Sequence, residues 1–212
     1  MSKPSRKLRD KWRLKEWYSI FTPSYFGATS VAVIPTDSAQ KLVGKVVETT
    51  LYDITNDFSH QSVKLYFLVV SVNDGQAQTI LKGHEYSTDY LRSLVRRGSN
   101  RLDGIFAASS KDRYTVRVYV VAFTHDRIKS SQEKGIREIM RRICVEKAST
   151  LDYSQLCHEI VLGKLGSDIY NEAKKIAPLR HVGVRKSKLL TMPMSEPSSQ
   201  PEVGKEPVTR GG

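Results

Sequence analysis

The side chains with the clearest chemistry in this 212-residue sequence are its basic residues, which occur in clusters. Lysine and arginine together number 34, against 22 aspartates and glutamates, which gives a formal net charge of +12. The first fifteen residues hold one acid, Asp10, and seven of the basic side chains. The basic ones are Lys3, Arg6, Lys7, Arg9, Lys11, Arg13 and Lys15. Cations at this density neutralise phosphates and release the counterions of a nucleic acid, so we expect this arm to bind a polyanion.

Two further clusters have the same chemistry. Residues 178–190 contain Arg180, Arg185, Lys186 and Lys188 and no acidic residue. Arg92, Arg96 and Arg97 precede Ser99 and Asn100, and guanidinium groups match phosphate oxygens in a bidentate manner. A helix capped by Ser87 or Thr88 is expected to place Arg92 and Arg96 one turn apart, with a stop at Gly98. Because residues 16–177 are nearly balanced in charge, the basic segments 1–15 and 178–190 flank a nearly neutral domain.

Patterns for catalysis or metal binding are weak. Cys144 and Cys157 lack the Cys-x2-Cys spacing of a zinc site, and we interpret them as small buried hydrophobes. Asp53, Asp57 and His60, which a nucleic-acid-processing enzyme would have to use, lie in a stretch typical of a polar loop. A Walker-type phosphate loop is missing. The sequence therefore predicts no catalytic residue, no metal, no cofactor and no small-molecule substrate.

Gly163-Lys164-Leu165-Gly166 is similar to the Gly-x-x-Gly backbone clamp of KH domains, where glycines let a phosphate approach the main chain. A KH core needs a strand directly before this helix pair, whereas the sequence predicts a long helix over 131–147 at that place. The alternative is an ordinary turn between two helices. The KH interpretation, which implies a free-standing RNA-binding regulator, stays open beside it.

The elements that must position these residues change type along the chain. Segments rich in Val, Ile, Tyr and Thr predict strands over residues 30–34, 42–51, 63–72, 77–81, 102–108 and 114–123. Asn73-Asp74-Gly75 predicts a hairpin. Weak alternation over 63–70 predicts a strand buried on both faces or packed under helices. Ser130 and Glu133 form a capping-box pattern, helices are expected over about 152–162 and 167–176, and residues 182–190 predict a basic strand.

The composition divides the chain into a basic arm (1–15), one α+β domain (16–190) and a tail (191–212) rich in Pro and Ser that we predict to be disordered. The longest apolar runs are far shorter than the ~18 residues of a membrane span. Two cysteines without an apolar leader favour a reducing, cytoplasmic compartment. An anionic membrane surface is a weaker alternative partner, because Asp10 interrupts the few apolar residues of the arm.

Seven segments, in the same order, resemble one protein family. They are Lys15-Glu16-Trp17-Tyr18-Ser19-Ile20 with Pro23 and Phe26, Leu51-Tyr52-Asp53-Ile54-Thr55, Gly83-His84-Glu85, Asp89-Tyr90-Leu91-Arg92-Ser93-Leu94-Val95-Arg96-Arg97, Lys111-Asp112 before Tyr114 and Val116-Arg117, Ser131-Gln132 before Ile136-Arg137, and Lys175-Ile176-Ala177-Pro178-Leu179-Arg180 with Val184-Arg185-Lys186. On these residues the sequence resembles the S3Ae family of small-subunit ribosomal proteins of archaea and eukaryotes, over about residues 15–190. The short chain looks archaeal.

The resemblance implies a barrel-like, mostly antiparallel β core surrounded by helices. It implies a structural constituent of the small ribosomal subunit, on the platform near the messenger exit, that binds small-subunit ribosomal RNA through phosphate contacts. Neighbouring small-subunit proteins are the other implied partners, and messenger RNA would lie nearby. Arg113 departs from the glycine that the family has after Lys111-Asp112, which leaves the geometry of that turn open.

Overall fold

The computed structural model describes Trp12 and residues 15–193, and it confirms an α+β fold. Within these residues there are eight strands: β1 (Glu16–Phe21), β2 (Ser30–Thr36), β3 (Val46–Thr50), β4 (Val63–Asn73), β5 (Gln76–Tyr86), β6 (Arg101–Ser109), β7 (Thr115–Thr124) and β8 (Leu179–Thr191). There are five α-helices: α1 (Tyr52–Thr55), α2 (Thr88–Leu94), α3 (Ser130–Thr150), α4 (Tyr153–Val161) and α5 (Lys164–Ala173). The basic segment near residue 185 is therefore a long strand, as predicted.

All eight strands join in one curled sheet. Its main order is β2-β1-β5-β8-β7-β6, and β4 pairs with both β3 and β5. Every pairing is antiparallel except that of β1 with β5. Strand β5 meets β1 through residues 76–78 and β8 through residues 83–85 along the same edge. This divergence curls the sheet around a small second core of Tyr18, Ile20, Leu42, Val47, Val69 and Ala77.

The hairpin predicted at Asn73-Asp74-Gly75 is confirmed. Asp74 and Gly75 join β4 to β5 with φ angles of 47° and 78°. Two consecutive left-handed residues form the tight turn whose twist matches that of paired strands, and Asp-Gly is a favoured sequence for it. The turn sets the register of the adjacent residues of β4 and β5, and this register shifts further along the pair, between Ser71 and Val69 and between Phe67 and Tyr66.

Of the two alternatives predicted for β4, burial on both faces is wrong and packing under helices is confirmed, since Val63, Leu65 and Phe67 share one core with residues of α3, α4 and α5. Val63, Leu65, Phe67 and Val69 are buried, whereas the alternate side chains are only half covered and Val70 is 51% exposed. The sequence shows little alternation because Tyr66 and Leu68 on the second face are themselves apolar. The predicted strand over 42–51 is also shorter, since Leu42 belongs to a turn that inserts its fully buried side chain into the second core.

Helices α3, α4 and α5 cover one face of the sheet and close the main core. Ile136 and Met140 of α3 are fully buried, as the apolar spacing of this helix requires. The capping box is not formed by Ser130 and Glu133. Instead the Gln132 side chain accepts a hydrogen bond of 3.0 Å from the backbone N–H of Lys129, because the Glu133 carboxylate is bound by the Asn100 amide at 2.7 Å.

Candidate nucleic-acid interface

The face of the sheet opposite α3–α5 places basic and aromatic side chains in rows. Cross-strand register aligns Ile105, Tyr119, Lys186, Glu85 and Lys64 across β6, β7, β8, β5 and β4. Residues opposite one another in paired strands share a face, so these side chains lie side by side. Ile105 is 60% exposed. The row presents an apolar and aromatic end beside a charged one.

A second row runs parallel to the first. It aligns Ala107, Arg117, Lys188, Gly83 and Tyr66 across the same five strands. The side chains of Arg117 and Lys188 are exposed, and neither forms an ion pair with any described residue. We call the two rows together the open face. Its unpaired cations and half-buried tyrosine rings are the groups that contact phosphates and stacked bases.

Some cations of the open face are already neutralised. Lys186 Nζ lies 2.6 Å from the Glu85 carboxylate, and Lys64 Nζ lies 2.8 Å from that of Glu48. The latter contact raises the pKa of Lys64. The segment 178–190 contains no acid, but pairing with β5 supplies one, so Lys186 is a weaker phosphate ligand than its sequence context indicated.

Arg185 reaches the open face through a β-bulge. Lys186 pairs with Tyr119 and Val184 with Val120, which leaves Arg185 as the extra residue of β8 between them. Its guanidinium carbon lies 5.9 Å from the centre of the Tyr119 ring. Among the residues that the structure describes, none forms an ion pair with Arg185. The bulge therefore presents an uncompensated guanidinium group.

Helix α2 begins as predicted but ends early. The Ser87 hydroxyl accepts a hydrogen bond of 3.3 Å from the Tyr90 N–H, which confirms Ser87 as the cap. The helix stops at Leu94 and Val95 is extended, so Arg96 does not lie one turn above Arg92 as we expected. Arg96 is exposed in the following turn, together with Arg97.

Aromatic contacts hold α2 against the sheet. The Tyr90 ring meets the rings of Tyr86 and His181 edge to face, at centroid distances of 5.4 and 6.2 Å. This packing brings Arg92 of α2 to Arg185 and Lys186 of β8 around a groove of about 330 Å³, which we call the α2–β8 groove. Arg101 of β6 also lines it. Arg101, Arg117 and Lys64 are not among the residues predicted from the sequence, although Arg101 and Arg117 alternate with buried residues of their strands.

The remaining predicted residues lie elsewhere. Arg180 is half-buried, its guanidinium carbon is 6.0 Å from the centre of the Phe123 ring, and its Nη2 atom is buried without a hydrogen-bond partner among the described residues. It is not part of the α2–β8 groove. Lys15 Nζ lies 4.2 Å from the centre of the Trp12 ring. Lys3, Arg6, Lys7, Arg9, Lys11 and Arg13 lie outside the described residues.

Asp53, Asp57 and His60 each have a local structural partner. The Asp53 carboxylate accepts a hydrogen bond of 2.9 Å from the Thr50 N–H, and Asp57 accepts one of 2.9 Å from the Ser59 N–H. These bonds lower the pKa of both carboxyl groups. His60 Nδ1 lies 3.0 Å from the Thr55 hydroxyl. Within the described part of the chain, no group of three or more His, Cys, Asp or Glu side chains could hold a metal ion.

The cysteines lie in the core, where burial raises the pKa of each thiol to about 12. Both thiols are therefore protonated at neutral pH, and a protonated thiol is a poor nucleophile. None of the described helices is long and apolar enough to cross a membrane.

The Gly-x-x-Gly segment packs against the sheet. Gly163 adopts a φ of 81° at the start of α5. A Cβ atom on Gly166 would lie 3.0 Å from the carbonyl oxygen of Val182, so this glycine lets α5 approach β8 closely. The element before the pair of helices is α3 and not a strand. The element order therefore differs from that of a KH core, and packing explains Gly166.

The fold and its open face define a basic α+β protein with a cationic, aromatic sheet surface on one side and helices on the other. The chain matches the model of the ribosomal S3Ae family over residues 3–193, and it belongs to that family. It is 45% identical over 195 residues to "Small ribosomal subunit protein eS1" of Desulfurococcus amylolyticus, covering 92% of both chains.

Other archaeal relatives of the same name are similarly close. The protein of Staphylothermus marinus is 44% identical over 196 residues, covering 91% of this chain and 92% of the relative. That of Archaeoglobus fulgidus is 44% identical over 199 residues, covering 93% and 94%. These likenesses extend over the whole described domain.

Proposed function

We propose that this protein is a structural, non-enzymatic constituent of the small ribosomal subunit that binds small-subunit ribosomal RNA through the open face and the basic arm 1–15. The observation that carries the proposal is the pair of cations Arg117 and Lys188, which lie opposite each other on the open face without an ion pair to any described residue, in a member of a ribosomal family. The names of the relatives support the small subunit as the particle.

The contacts would position the protein without selecting a sequence. Lysine and arginine bind phosphate oxygens, which all nucleotides share, so such contacts determine orientation on the RNA but not base identity. The half-buried rings of Tyr66 and Tyr119 add surfaces on which unpaired bases can stack. We place the protein in the cytoplasm, on the platform near the messenger exit, beside other small-subunit proteins and close to messenger RNA.

The organisation of the chain fits this role. The domain over 16–190 mounts the open face, while the basic arm 1–15 is expected to order on the particle, because RNA neutralises the repulsion among its cations. The alternative, a free-standing regulator with a KH clamp, is less well supported, because Gly166 packs closely against β8.

Two measurements test the proposal. Sedimentation of cell lysate through a sucrose gradient should place the chain in the small-subunit fraction. If about six phosphates are neutralised, log affinity for small-subunit RNA should fall with log salt at a slope of roughly −4 to −5. The double variant Arg117→Gln, Lys188→Gln should make this slope shallower by about 1.5.

The matched control carries the same loss of charge on the helical side. Lys134→Gln with Arg141→Gln removes two exposed cations of α3 that form no ion pair with described residues. This control should leave the salt slope unchanged. If both double variants made the salt slope shallower by the same amount, the proposed interface would be refuted. If the chain were absent from the small-subunit fraction, the proposed role would be refuted.

A further inference from the structure

The α2–β8 groove has a composition that phosphate binding alone does not explain. Besides its basic residues, it is lined by the apolar side chains of Leu91 and Val95, by Tyr86 and by Glu85. Val95 is 52% exposed although it is apolar. A site for a simple anion has no use for an apolar wall, and a carboxylate in it would repel the anion. The mixture instead fits a ligand with both an anionic and a flat, weakly polar part.

The polar groups of the groove differ in how far they are engaged. Lys186 is paired with Glu85, and the guanidinium of Arg101 lies 3.0 Å from the Asp103 carboxylate. Arg92 lies 3.7 Å from Asp89 in a highly exposed contact, which contributes little. Arg185 has no carboxylate partner among the described residues. Its donors are therefore the ones most available to a phosphate.

Glu85 adds an acceptor to the groove. Its Oε2 atom accepts the hydrogen bond of 2.6 Å from Lys186, and no described residue donates to its Oε1 atom. A carboxylate oxygen of this kind accepts hydrogen bonds from the amino and imino groups of nucleobases. The groove thus combines a phosphate ligand, an apolar wall and a base acceptor within about 330 Å³, a volume at the lower end of small-molecule sites.

We propose that the α2–β8 groove holds one unpaired nucleotide of the bound RNA, with its phosphate on Arg185 and Arg92 and its base against Val95. This inference rests on the proposed function, since it names a feature of the RNA that the open face would contact. It differs in predicting selectivity for unpaired over paired nucleotides, which cations alone do not provide.

The test uses the full chain and three probes: a fluorescent single-stranded hexaribonucleotide, a blunt-ended RNA duplex and inorganic phosphate. Anisotropy measures affinity, and amide chemical shifts of labelled protein locate the contact. We expect the hexanucleotide to shift the amides of Leu91, Val95 and Arg185, and the duplex to leave Val95 unaffected. Inorganic phosphate should compete only at concentrations far above those of the oligonucleotide.

Three substitutions separate the parts of the site. Arg185→Gln should weaken hexanucleotide binding about tenfold, because it removes a charge-assisted contact. Val95→Ser keeps the charge and should weaken hexanucleotide binding about threefold while binding of the blunt-ended duplex is unchanged. Arg141→Gln, which removes one exposed cation from α3, should change hexanucleotide affinity less than twofold.

If Val95→Ser changed the affinity for neither RNA probe, the nucleotide site would be overturned and only an anion site would remain. Competition by inorganic phosphate as strong as that by the hexanucleotide would have the same consequence. Equal effects of Arg185→Gln and Arg141→Gln would also overturn it. These results would not affect the proposed function, which fails instead if the wild-type chain neither sediments with small subunits nor binds their RNA in a salt-dependent manner.

Discussion

His84 makes the junction of β5 with β8 sensitive to pH. The imidazole is fully buried, and its Nε2 atom donates a hydrogen bond of 2.9 Å to the Val184 carbonyl. Its Nδ1 atom then accepts one of 2.7 Å from the Ser187 hydroxyl. Both bonds suit the neutral ring. Burial lowers the pKa of His84 from 6.5 to about 4, although the Val184 carbonyl and the Glu85 charge oppose the shift.

The sign and size of the effect follow from this shift. The unfolded chain binds a proton near pH 6.5 and the folded chain does so only near pH 4, so the stabilisation by neutral His84 is complete above pH 6.5 and declines as the pH falls. At 1.36 kcal/mol per pKa unit, the loss reaches about 2 kcal/mol at pH 5 and about 3 kcal/mol at pH 4. Below pH 4 this contribution levels off.

Urea unfolding of the full chain at pH 7, 6, 5 and 4, compared with the variant His84→Gln, measures the contribution. Between pH 7 and pH 4, the free energy of unfolding of the wild-type chain should fall further than that of the variant, by the amount assigned to His84. Titration of the ring by NMR provides a second readout that does not depend on the variant folding well. A folded-state pKa of His84 near 6.5, or parallel stability profiles, would refute the reasoning.

Three further changes test packing and charge. Gly83→Ala should destabilise the fold by about 3 kcal/mol in chemical denaturation, because the new Cβ would lie 2.2 Å from the Ser187 carbonyl oxygen. Arg113→Gly should stabilise it by about 1 kcal/mol, measured as a raised Tm, since Arg113 adopts a φ of 62°. Lys147→Met should destabilise it by about 2 kcal/mol in urea, because Lys147 Nζ lies 2.9 Å from Asp168 and bridges α3 to α5.

Two of these changes, Gly83→Ala and Lys147→Met, have a matched control. Gly135→Ala meets only the flexible end of Ile176 and gains helix propensity, so it should be neutral or slightly stabilising. Lys174→Met removes an exposed lysine of the same helical layer and should change stability by less than about 0.5 kcal/mol. Equal losses at Gly83 and Gly135, or at Lys147 and Lys174, would contradict the packing and charge arguments. A lowered Tm of Arg113→Gly would contradict the backbone argument, because it would show that the arginine side chain contributes more to stability than its left-handed backbone conformation costs.

The Arg113 turn also resolves a point that the sequence left open. The family resemblance carries glycine at this position, and the left-handed φ of Arg113 keeps the conformation that glycine would adopt without strain. Strands β6 and β7 on either side of this turn pair in one unbroken register from Arg101–Phe123 to Ser109–Thr115.

Features that depend on neighbouring residues can be predicted from the amino-acid sequence alone. The Asp74-Gly75 turn, the Ser87 cap and the apolar spacing of α3 are local, because hydrogen bonds and side-chain positions within a few residues decide them. The clustering of charge at residues 1–15 and 178–190 is likewise visible without a structure, and so is the membership of the α+β class.

Which of the basic residues act together depends on how distant segments of the chain pack. Lys186 pairs with Glu85, 101 positions away, because β8 lies beside β5. The same register leaves Arg117 and Lys188 without an ion pair to any residue that the structure describes, while the packing of Tyr90 brings Arg92 to Arg185. Arg180, equally basic in sequence, is half-buried at the other end of the strand. Charge can be counted along a chain, but its availability depends on strand register and burial, which distant segments impose.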